Sequence, residues 1–312
     1  MDTVDKNLLQ ELIRNSRISM THLAKKLKVS REVATYRLNR LKKERVILDF
    51  VTEINITQLG FISAAVFINI QAKRQKEFVE FLTASTFVSW VAELSGIWSF
   101  GFSIIGKTNE ELDNRFLEIY NTFKEDIIDH RFTSQKKSLF FYEKYFNSLP
   151  EYKKNVIRKK DVIDEKDKSI LQKLSQNSRI DIVELSKIVS LTAPAITQRI
   201  KKLEAQKYIE KYSIFVDVTK LGLFQYSIFV VNKNIDEKEK LVGYLSQDMN
   251  ISFIAQYIGD PFLEFGLFVK DPYQLREKLQ QIEEKFPHNR VIEVSLFQKE
   301  FVSVGLPECV FE

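Results

Sequence analysis

Two segments of the sequence carry polar side chains at the spacing of one helical face. A helix that begins after Ser30 and another that begins after Thr192 would each bury apolar side chains that recur at i, i+4 and i+7. The side chains that would then point outward are Glu32, Tyr36, Asn39 and Lys43 in the first segment and Pro194, Gln198 and Lys201 in the second. The Tyr, Asn, Gln and Lys side chains among them, with the Thr and Arg side chains beside them, can hydrogen-bond base edges and phosphates in the major groove of DNA. The pattern predicts two DNA-reading helices; the alternative is an ordinary solvated helix face.

The predicted DNA contacts include most of these outward residues and the cations and hydroxyls beside them. The double-stranded DNA partner would meet Arg31, Thr35, Tyr36, Arg37, Asn39, Arg40 and Lys43 from the first segment and Thr197, Gln198, Arg199, Lys201 and Lys202 from the second.

Both segments belong to an internal duplication. The tetrapeptide "NSRI" occurs at positions 15–18 and 177–180, and at this offset of 162 residues the stretches 5–60 and 167–222 align without a gap. They share 18 identities in 56 positions, where chance would give about three or four. The tetrapeptide itself is predicted to be a break between two helices. We expect Arg17 and Arg179 to lie in a solvated turn, with contact to DNA phosphate as the alternative.

Positive charge concentrates around the predicted reading helices. The net charge is +5, but residues 1–48 carry 12 Lys or Arg against 5 Asp or Glu, and residues 164–211 carry 10 against 7. Residues 151–160 add 5 against 1, so the rest of the chain is net acidic. This distribution is typical of a polyanion-binding module joined to a neutral or acidic domain. Charge alone fits a solvated basic surface equally well.

Residue types for catalysis or metal binding are scarce. Cys309 is the only cysteine, which excludes an internal disulfide and a cysteine-based zinc site and fits a reducing cytoplasm. The three histidines, His22, His130 and His288, do not occupy corresponding positions in the two copies. We therefore expect no enzyme, no cofactor, no metal and no catalytic residue. Without a membrane-spanning apolar run or a secretory signal, we expect a cytoplasmic protein that does not contact membranes.

Around the reading helices, the pattern predicts a winged helix-turn-helix in each copy. A helix over residues 5–14, a second helix and a tight turn precede the reading helix, with Ser30 and Thr192 as N-caps. The stretches "RVILDFVTEINITQLG" and "KYIEKYSIFVDVTKLG" alternate like β-hairpins, and each would form the wing of its own copy.

The segments "LTAPAITQRIKKLEAQKYIEKYSIFVDVTKLGL" and "VDKNLLQELIRNSRISMTHLAKKLKVSREVATYRLNRLKKERVI" resemble the DNA-binding part of the Lrp/AsnC, or feast/famine, family. The resemblance is strong over residues 4–61 and 166–223. It implies a winged helix-turn-helix followed by a βαββαβ sensing (RAM-type) domain, transcription regulation, dimerisation through the sensing sheets and often higher oligomers. Arg37 and Arg199 occupy the family's arginine on the recognition helix, which is associated with phosphate contact or with docking that helix.

The rest of each copy fits the implied ferredoxin-like order. In the first copy, β-rich runs lie at 64–71, 87–95, 98–106 and 137–146, with helices at 76–84 and 110–128; the second copy repeats the order. The predicted class is α+β. The predicted domains are 1–60 and 164–222 for the winged helix-turn-helix, 61–147 and 223–312 for βαββαβ, and 148–163 for a basic linker. The linker is long enough for the copies to pair as an intrachain pseudo-dimer, and further homo-oligomers stay open.

The family's effector motif, Gly-x-Tyr-Asp-like, is altered in both copies. The candidate effector-binding residues are Gly96, Trp98, Gly259 and Asp260, but the motif's aspartate position is lost or displaced. Without a fixed carboxylate, an α-amino group lacks its usual counter-ion, so a free amino acid is a doubtful effector. Trp98 reads as a packed interface residue.

Three functions compete. The first is a sequence-specific transcription regulator with two non-identical reading helices. The second is an architectural protein that binds DNA without sequence preference. The third is an enzyme, because siroheme decarboxylases are similar to Lrp/AsnC proteins and also pair two related units; their chemistry is associated with histidines and arginines on the sensing sheet. Strands 87–95 and 251–258 contain neither residue type, which disfavours the enzyme.

Overall fold

The computed structural model describes residues 1–148, 163–302 and 306–311. The predicted linker, 148–163, lies almost wholly outside these residues. The chain forms two compact units: one holds the described parts of residues 1–61, 151–217 and 303–312, and the other those of residues 62–150 and 218–302. Each unit therefore combines corresponding parts of both copies.

The first copy runs from three helices into a βαββαβ segment. Its elements are α1 (Thr3–Arg14), α2 (Met20–Leu27), α3 (Arg31–Lys43), β1 (Ile47–Ile54), β2 (Ile62–Ile70), α4 (Gln75–Ala84), β3 (Val88–Ser95), β4 (Phe100–Gly106), α5 (Asn109–Phe123) and β5 (Ile127–Phe140).

The second copy repeats this order. Its elements are α6 (Glu165–Gln176), α7 (Ile182–Val189), α8 (Ala193–Ala205), β6 (Ile209–Val216), β7 (Phe224–Asn232), α9 (Ile235–Gln247), β8 (Ile251–Tyr257), β9 (Leu263–Val269), α10 (Pro272–Lys285) and β10 (Asn289–Val302).

The predicted hairpin within each copy is wrong. Each copy contributes one strand, and β1 pairs antiparallel with β6 of the other copy. The alternation of polar and apolar residues predicts which side chains lie on each face of a strand, but it does not predict which strand pairs with it. The second half of the predicted hairpin instead turns: the side chain of Asn55 accepts the backbone N–H of Gln58, and the turns end at Gly60 with φ +86°.

The last strand of the first copy begins earlier than predicted. The helix ends at Phe123, β5 covers Ile127–Phe140, and the run "YEKYF" forms a 3-10 helix at Tyr142–Phe146. The sequence does not predict the first part of this strand because polar residues lie on both of its faces, so polar and apolar residues do not alternate regularly.

The second unit is a barrel built from the two βαββαβ segments. In the described chain its strands close in the order β10-β3-β4-β2-β5-β8-β9-β7. Within each copy this is the ferredoxin-like order, and the copies join at two seams, β5 with β8 and β10 with β3. The interior holds aromatic side chains from both copies. Phe67 and Phe229, which are equivalent residues, meet edge-on with ring centroids 4.8 Å apart.

Candidate nucleic-acid interface

The reading helices α3 and α8 each follow a short helix and a tight turn. The preceding helix ends at a left-handed residue, Lys28 with φ 55° in the first copy and Ser190 with φ 55° in the second. Ser30 then accepts the backbone N–H of Val33 at 3.2 Å, and Thr192 accepts the N–H of Ala195 at 3.4 Å. Each hydroxyl satisfies a helix-end donor, as the sequence predicts.

Each reading helix buries its apolar face and exposes its polar face. Ala34, Leu38 and Leu41 are buried, so Tyr36 points away from the core with 66% of its surface exposed. The predicted contact residues that are exposed are Arg31, Tyr36, Asn39 and Lys43 on α3 and Thr197, Gln198, Lys201 and Lys202 on α8. The outward faces differ at equivalent positions, since Tyr36 and Asn39 on α3 correspond to Gln198 and Lys201 on α8.

The two threonines of the predicted contact set bond first to their own helices. Thr35 Oγ1 donates to the carbonyl of Arg31 at 2.8 Å, and Thr197 Oγ1 donates to that of Ala193 at 2.9 Å. Because each hydroxyl donates its proton within the helix, its oxygen can act towards DNA only as a hydrogen-bond acceptor.

Arg37 joins its reading helix to the first turn of α1. Its Nη1 lies 2.7 Å from Asp2 Oδ2 and 2.9 Å from Asp5 Oδ1, and Asp5 is almost fully buried. Asp2 and Asp5 also form the capping box of α1. A hydrogen bond from the backbone N–H of Asp5 lowers the pKa of the Asp2 carboxyl, and a smaller contribution from Arg37 lowers it further. In turn, the carboxylates of Asp2 and Asp5 raise the pKa of Arg37.

The second copy repeats this docking. Arg199 Nη1 lies 2.8 Å from Asp164 Oδ2 and 2.8 Å from Asp167 Oδ1. The copies differ one helical turn on, where Arg40 reaches Asp5 at 2.5 Å and the second copy has the exposed Lys202. Of the two roles associated with the family's arginine, this geometry displays docking of the reading helix.

The two "NSRI" turns hold the helical domains of the two copies together. Ser16 Oγ lies 2.5 Å from Ser178 Oγ, and both side chains are fully buried. Arg17 Nη1 donates to the carbonyl of Ser178 at 2.6 Å, and Arg179 Nη1 donates to that of Ser16 at 2.5 Å. Burial lowers the pKa of Arg179, and nearby Arg17 lowers it further. The expectation of a solvated turn is therefore wrong.

Strands β1 and β6 continue this contact about one axis of pseudo-symmetry. Val51 lies opposite Ser213, and these are equivalent residues, 162 positions apart. Phe50 opposite Ile214 and Thr52 opposite Tyr212 are related by the same axis. The arrangement places the two reading helices in one unit with a nearly two-fold relation, as a dimeric DNA-binding protein requires.

The candidate effector residues lie in two separate turns of the barrel. Gly96 and Trp98 belong to the turn between β3 and β4, which meets β10, whereas Gly259 and Asp260 belong to the turn between β8 and β9, beside β5. The barrel order puts these turns on opposite sides, so the four residues do not form one site. Trp98 is buried, and its indole N–H donates to Glu293 at 2.8 Å.

Within the ranges that the structure describes, no group of three His, Cys, Asp or Glu side chains could hold a metal ion. No helix among the described residues has the length and apolar character needed to cross a membrane.

In comparisons with known proteins, the two copies match separate family models. An AsnC-type helix-turn-helix family model matches residues 163–204, and a winged helix-turn-helix DNA-binding model matches residues 1–47. An uncharacterised HTH-type transcriptional regulator of Pyrococcus furiosus is 33% identical over 149 residues, which are 96% of that relative and 46% of this chain. The chain belongs to the Lrp/AsnC family. Because the relative's length matches less than half of the chain, this Lrp/AsnC protein has room for two family units.

Other Lrp/AsnC comparisons agree with this organisation. LrpA of Pyrococcus abyssi is 30% identical over 119 residues, covering 82% of that protein and 37% of this chain. The solved structure of the siroheme decarboxylase NirDL is similar over 98% of this chain and 94% of its own, with a TM-score of 0.63 and 13% sequence identity. At that identity, the likeness shows a shared fold and nothing about activity.

Sequence reasoning missed the residues that dock and pair the reading helices. Asp2, Asp5, Ser16 and Ser178 were not predicted as functional positions. A signal was present, since Asp2 and Asp5 of this Lrp/AsnC chain recur as Asp164 and Asp167 at the same offset. Their partners could be recognised only once the structure placed α1 beside α3.

Proposed function

We propose that the chain is a sequence-specific, double-stranded DNA-binding transcription regulator in which two unlike reading helices act together as an intrachain pseudo-dimer. The observation that carries this proposal is the pairing of α3 and α8 in one unit. Each is capped and docked on its own copy, and the buried Ser16–Ser178 contact and the β1–β6 ladder fix them to each other. The family membership supports the same function.

Unlike outward faces support an operator with two unlike half-sites. Asn39 on α3 corresponds to Lys201 on α8, and Tyr36 corresponds to Gln198. A carboxamide suits adenine, whereas an ammonium group suits guanine. A pair of identical helices would read a palindrome; this pair should read an asymmetric site.

The test compares matched tyrosines in the full chain. Tyr36→Ala removes an exposed tyrosine from α3, and Tyr273→Ala removes one, 86% exposed, from the first turn of α10 in the barrel unit. We expect Tyr36→Ala to weaken binding to a selected operator by roughly five- to 150-fold, a loss of about 1–3 kcal/mol. Tyr273→Ala should leave binding unchanged.

Fluorescence anisotropy at several salt concentrations provides the readout. We expect nanomolar affinity for the operator, a steep fall with salt, and clearly weaker binding to random duplexes. Equal affinity for operator and random DNA at physiological salt would instead support the architectural function, in which footprints spread along the duplex.

We propose further that the chain is not an enzyme, despite its structural likeness to a siroheme decarboxylase. His130 lies on β5 but is exposed, against Phe116 and Tyr120, with ring centroids 5.3 Å away in each case. It therefore does not face the barrel interior. Adding siroheme or iron-coproporphyrin should leave the absorption spectrum of the pigment unchanged; a shifted spectrum together with release of carbon dioxide would contradict this part of the proposal.

A further inference from the structure

We propose that the two copies are specialised to pair with each other and disfavour pairing with a like copy. The proposal concerns the surfaces that join the copies, and it does not depend on what the chain binds. Its basis is a set of equivalent positions that carry complementary side chains, one from each copy.

The first such position lies inside the barrel. Arg131 on β5 and Glu293 on β10 are equivalent residues, since they stand opposite the equivalent Phe67 and Phe229 in the ladders. They bind each other: Arg131 Nη1 donates to Glu293 Oε2 at 2.6 Å, and Nη2 contacts Oε1. Both side chains are largely buried, with 24% and 8% of their surfaces exposed.

Pairing of like copies would reverse this interaction. Two first copies would bring Arg131 against a second Arg131, and two second copies would bring Glu293 against a second Glu293. Like charges in a site with little water repel strongly, whereas the observed pair is attractive and bidentate. The position therefore discriminates between partners by repulsion as well as attraction.

Both tryptophans of the chain add to this asymmetry. Trp90 and Trp98 lie in the first copy, and each indole N–H donates to a carboxylate of the second copy: Trp90 to Glu300 and Trp98 to Glu293, each at 2.8 Å. At the other seam, the residues equivalent to Trp90 and Glu300 are Phe253 and Ser138. Two second copies would place Glu300 beside Phe253, which has no N–H to offer its carboxylate.

The DNA-binding unit shows the same specialisation independently. Glu53 on β1 lies opposite Lys211 on β6, with Oε1 and Nζ 3.9 Å apart. The residue of the first copy equivalent to Lys211 is Asp49. Two first copies would therefore place Glu53 opposite Asp49 at both ends of the ladder, and like charges directly opposite each other destabilise strand pairing.

A double-mutant cycle with charge reversals in the full chain tests the proposal. Arg131→Glu places two glutamates at this contact inside the barrel, Glu293→Arg places two arginines there, and the double variant restores an inverted pair. We expect each single variant to lower the melting temperature by about 6–10 °C and the double variant to recover most of that loss. Melting is followed by circular dichroism.

Mixing the single variants tests whether this charge pair controls association between copies. Within either variant alone, every pairing of a first copy with a second copy joins like charges, whether it is intrachain or interchain. When an Arg131→Glu chain and a Glu293→Arg chain exchange copies, each of the two barrels contains one glutamate and one arginine at this position, and these attract each other. We expect native mass spectrometry of a heavy-isotope and light-isotope mixture to show 1:1 dimers that neither variant forms alone.

A matched control separates partner choice from general instability. Lys278→Glu breaks the ion pair with Asp248 inside the second copy, where 21% and 9% of the side-chain surfaces are exposed, close to the values for Arg131 and Glu293. It should lower the melting temperature without producing mixed dimers. The proposal is overturned if the single charge variants melt like the wild type, if the double variant recovers nothing, or if the mixture contains no more dimer than its components.

Discussion

At the scale of single residues, Asp5 serves two elements at once. Its carboxylate accepts the N-cap N–H of α1 and binds Arg37 and Arg40 of the reading helix, while only 1% of the residue is exposed. Replacing it leaves two cations without their buried partner. We expect Asp5→Ala to lower the free energy of unfolding by about 2–4 kcal/mol and to weaken DNA binding by loosening α3.

Urea titration measures this loss, and Asp236→Ala is its control. Asp236 is an exposed acid in the first turn of α9 and should cost only a few tenths of a kcal/mol. Equal losses for both variants would show that Asp5 acts as a helix-end charge alone.

Glu264 makes the stability of the barrel depend on pH. Burial, with a smaller contribution from nearby Glu293, raises the pKa of its carboxyl to about 7, although hydrogen bonds from Ser227 and Tyr257 and the charge of Arg131 oppose the rise. The folded state therefore holds a proton that the unfolded chain loses near pH 4.5. This contribution is greatest below pH 4.5 and declines as the pH rises to about 7, by on the order of 3 kcal/mol.

Glu264→Gln should remove that part of the pH dependence. The measurement is the difference in unfolding free energy between wild type and variant at several pH values from 4.5 to 8. Glu80→Gln, at an exposed site on α4, serves as the control and should leave the wild-type slope intact. A Glu264→Gln protein with an unchanged slope would contradict the assignment.

At the scale of elements, the two "NSRI" turns set the relation between the reading helices. Arg17 and Arg179 each donate to carbonyls of the other copy, and their guanidinium groups lie over Tyr212 and Phe50 at 5.4 and 5.5 Å. Replacing both arginines by alanine removes these contacts but leaves each outward face intact. We expect operator affinity to fall about tenfold or more because the two helices no longer approach two half-sites in a fixed relation.

Anisotropy with a full operator and with a single half-site measures this effect. The double variant should lose affinity for the full operator and keep its affinity for the half-site. Arg14→Ala, which removes an exposed arginine from α1, should alter neither. Equal losses on both duplexes would mean that the arginines contact DNA directly.

The element scale also marks the limit of prediction from sequence. Helix positions, N-caps and the outward faces of α3 and α8 follow from periodicity and from local hydrogen bonding, which nearby residues determine. The strand that pairs with β1 cannot be predicted in this way, because the alternation of polar and apolar residues in a strand is the same whichever sheet edge the strand joins. β5 was placed too late because polar residues such as His130 and Lys136 mask its period, and the Arg131–Glu293 contact joins residues that only the closed barrel brings together.

At the scale of the whole molecule, the duplication places two related but unlike copies in one chain as an intrachain pseudo-dimer. Some equivalent residues that meet each other stay alike, as with Ser16 and Ser178, whereas others, such as Arg131 and Glu293, have diverged, as have the outward positions of the reading helices. An asymmetric pair held in one chain has a fixed composition of one α3 and one α8. Its DNA target should therefore have a direction, which a palindrome lacks.

Selection of binding sites from random duplexes by the full chain tests this account most directly. We predict enrichment of a bipartite site with two unlike half-sites, centred about one helical turn of DNA apart or a multiple of it. Replacing Asn39 with lysine should change the preferred bases in one half-site only. Recovery of perfect palindromes alone, or no enrichment over the starting pool, would contradict the central claim that two different helices in one chain read DNA together.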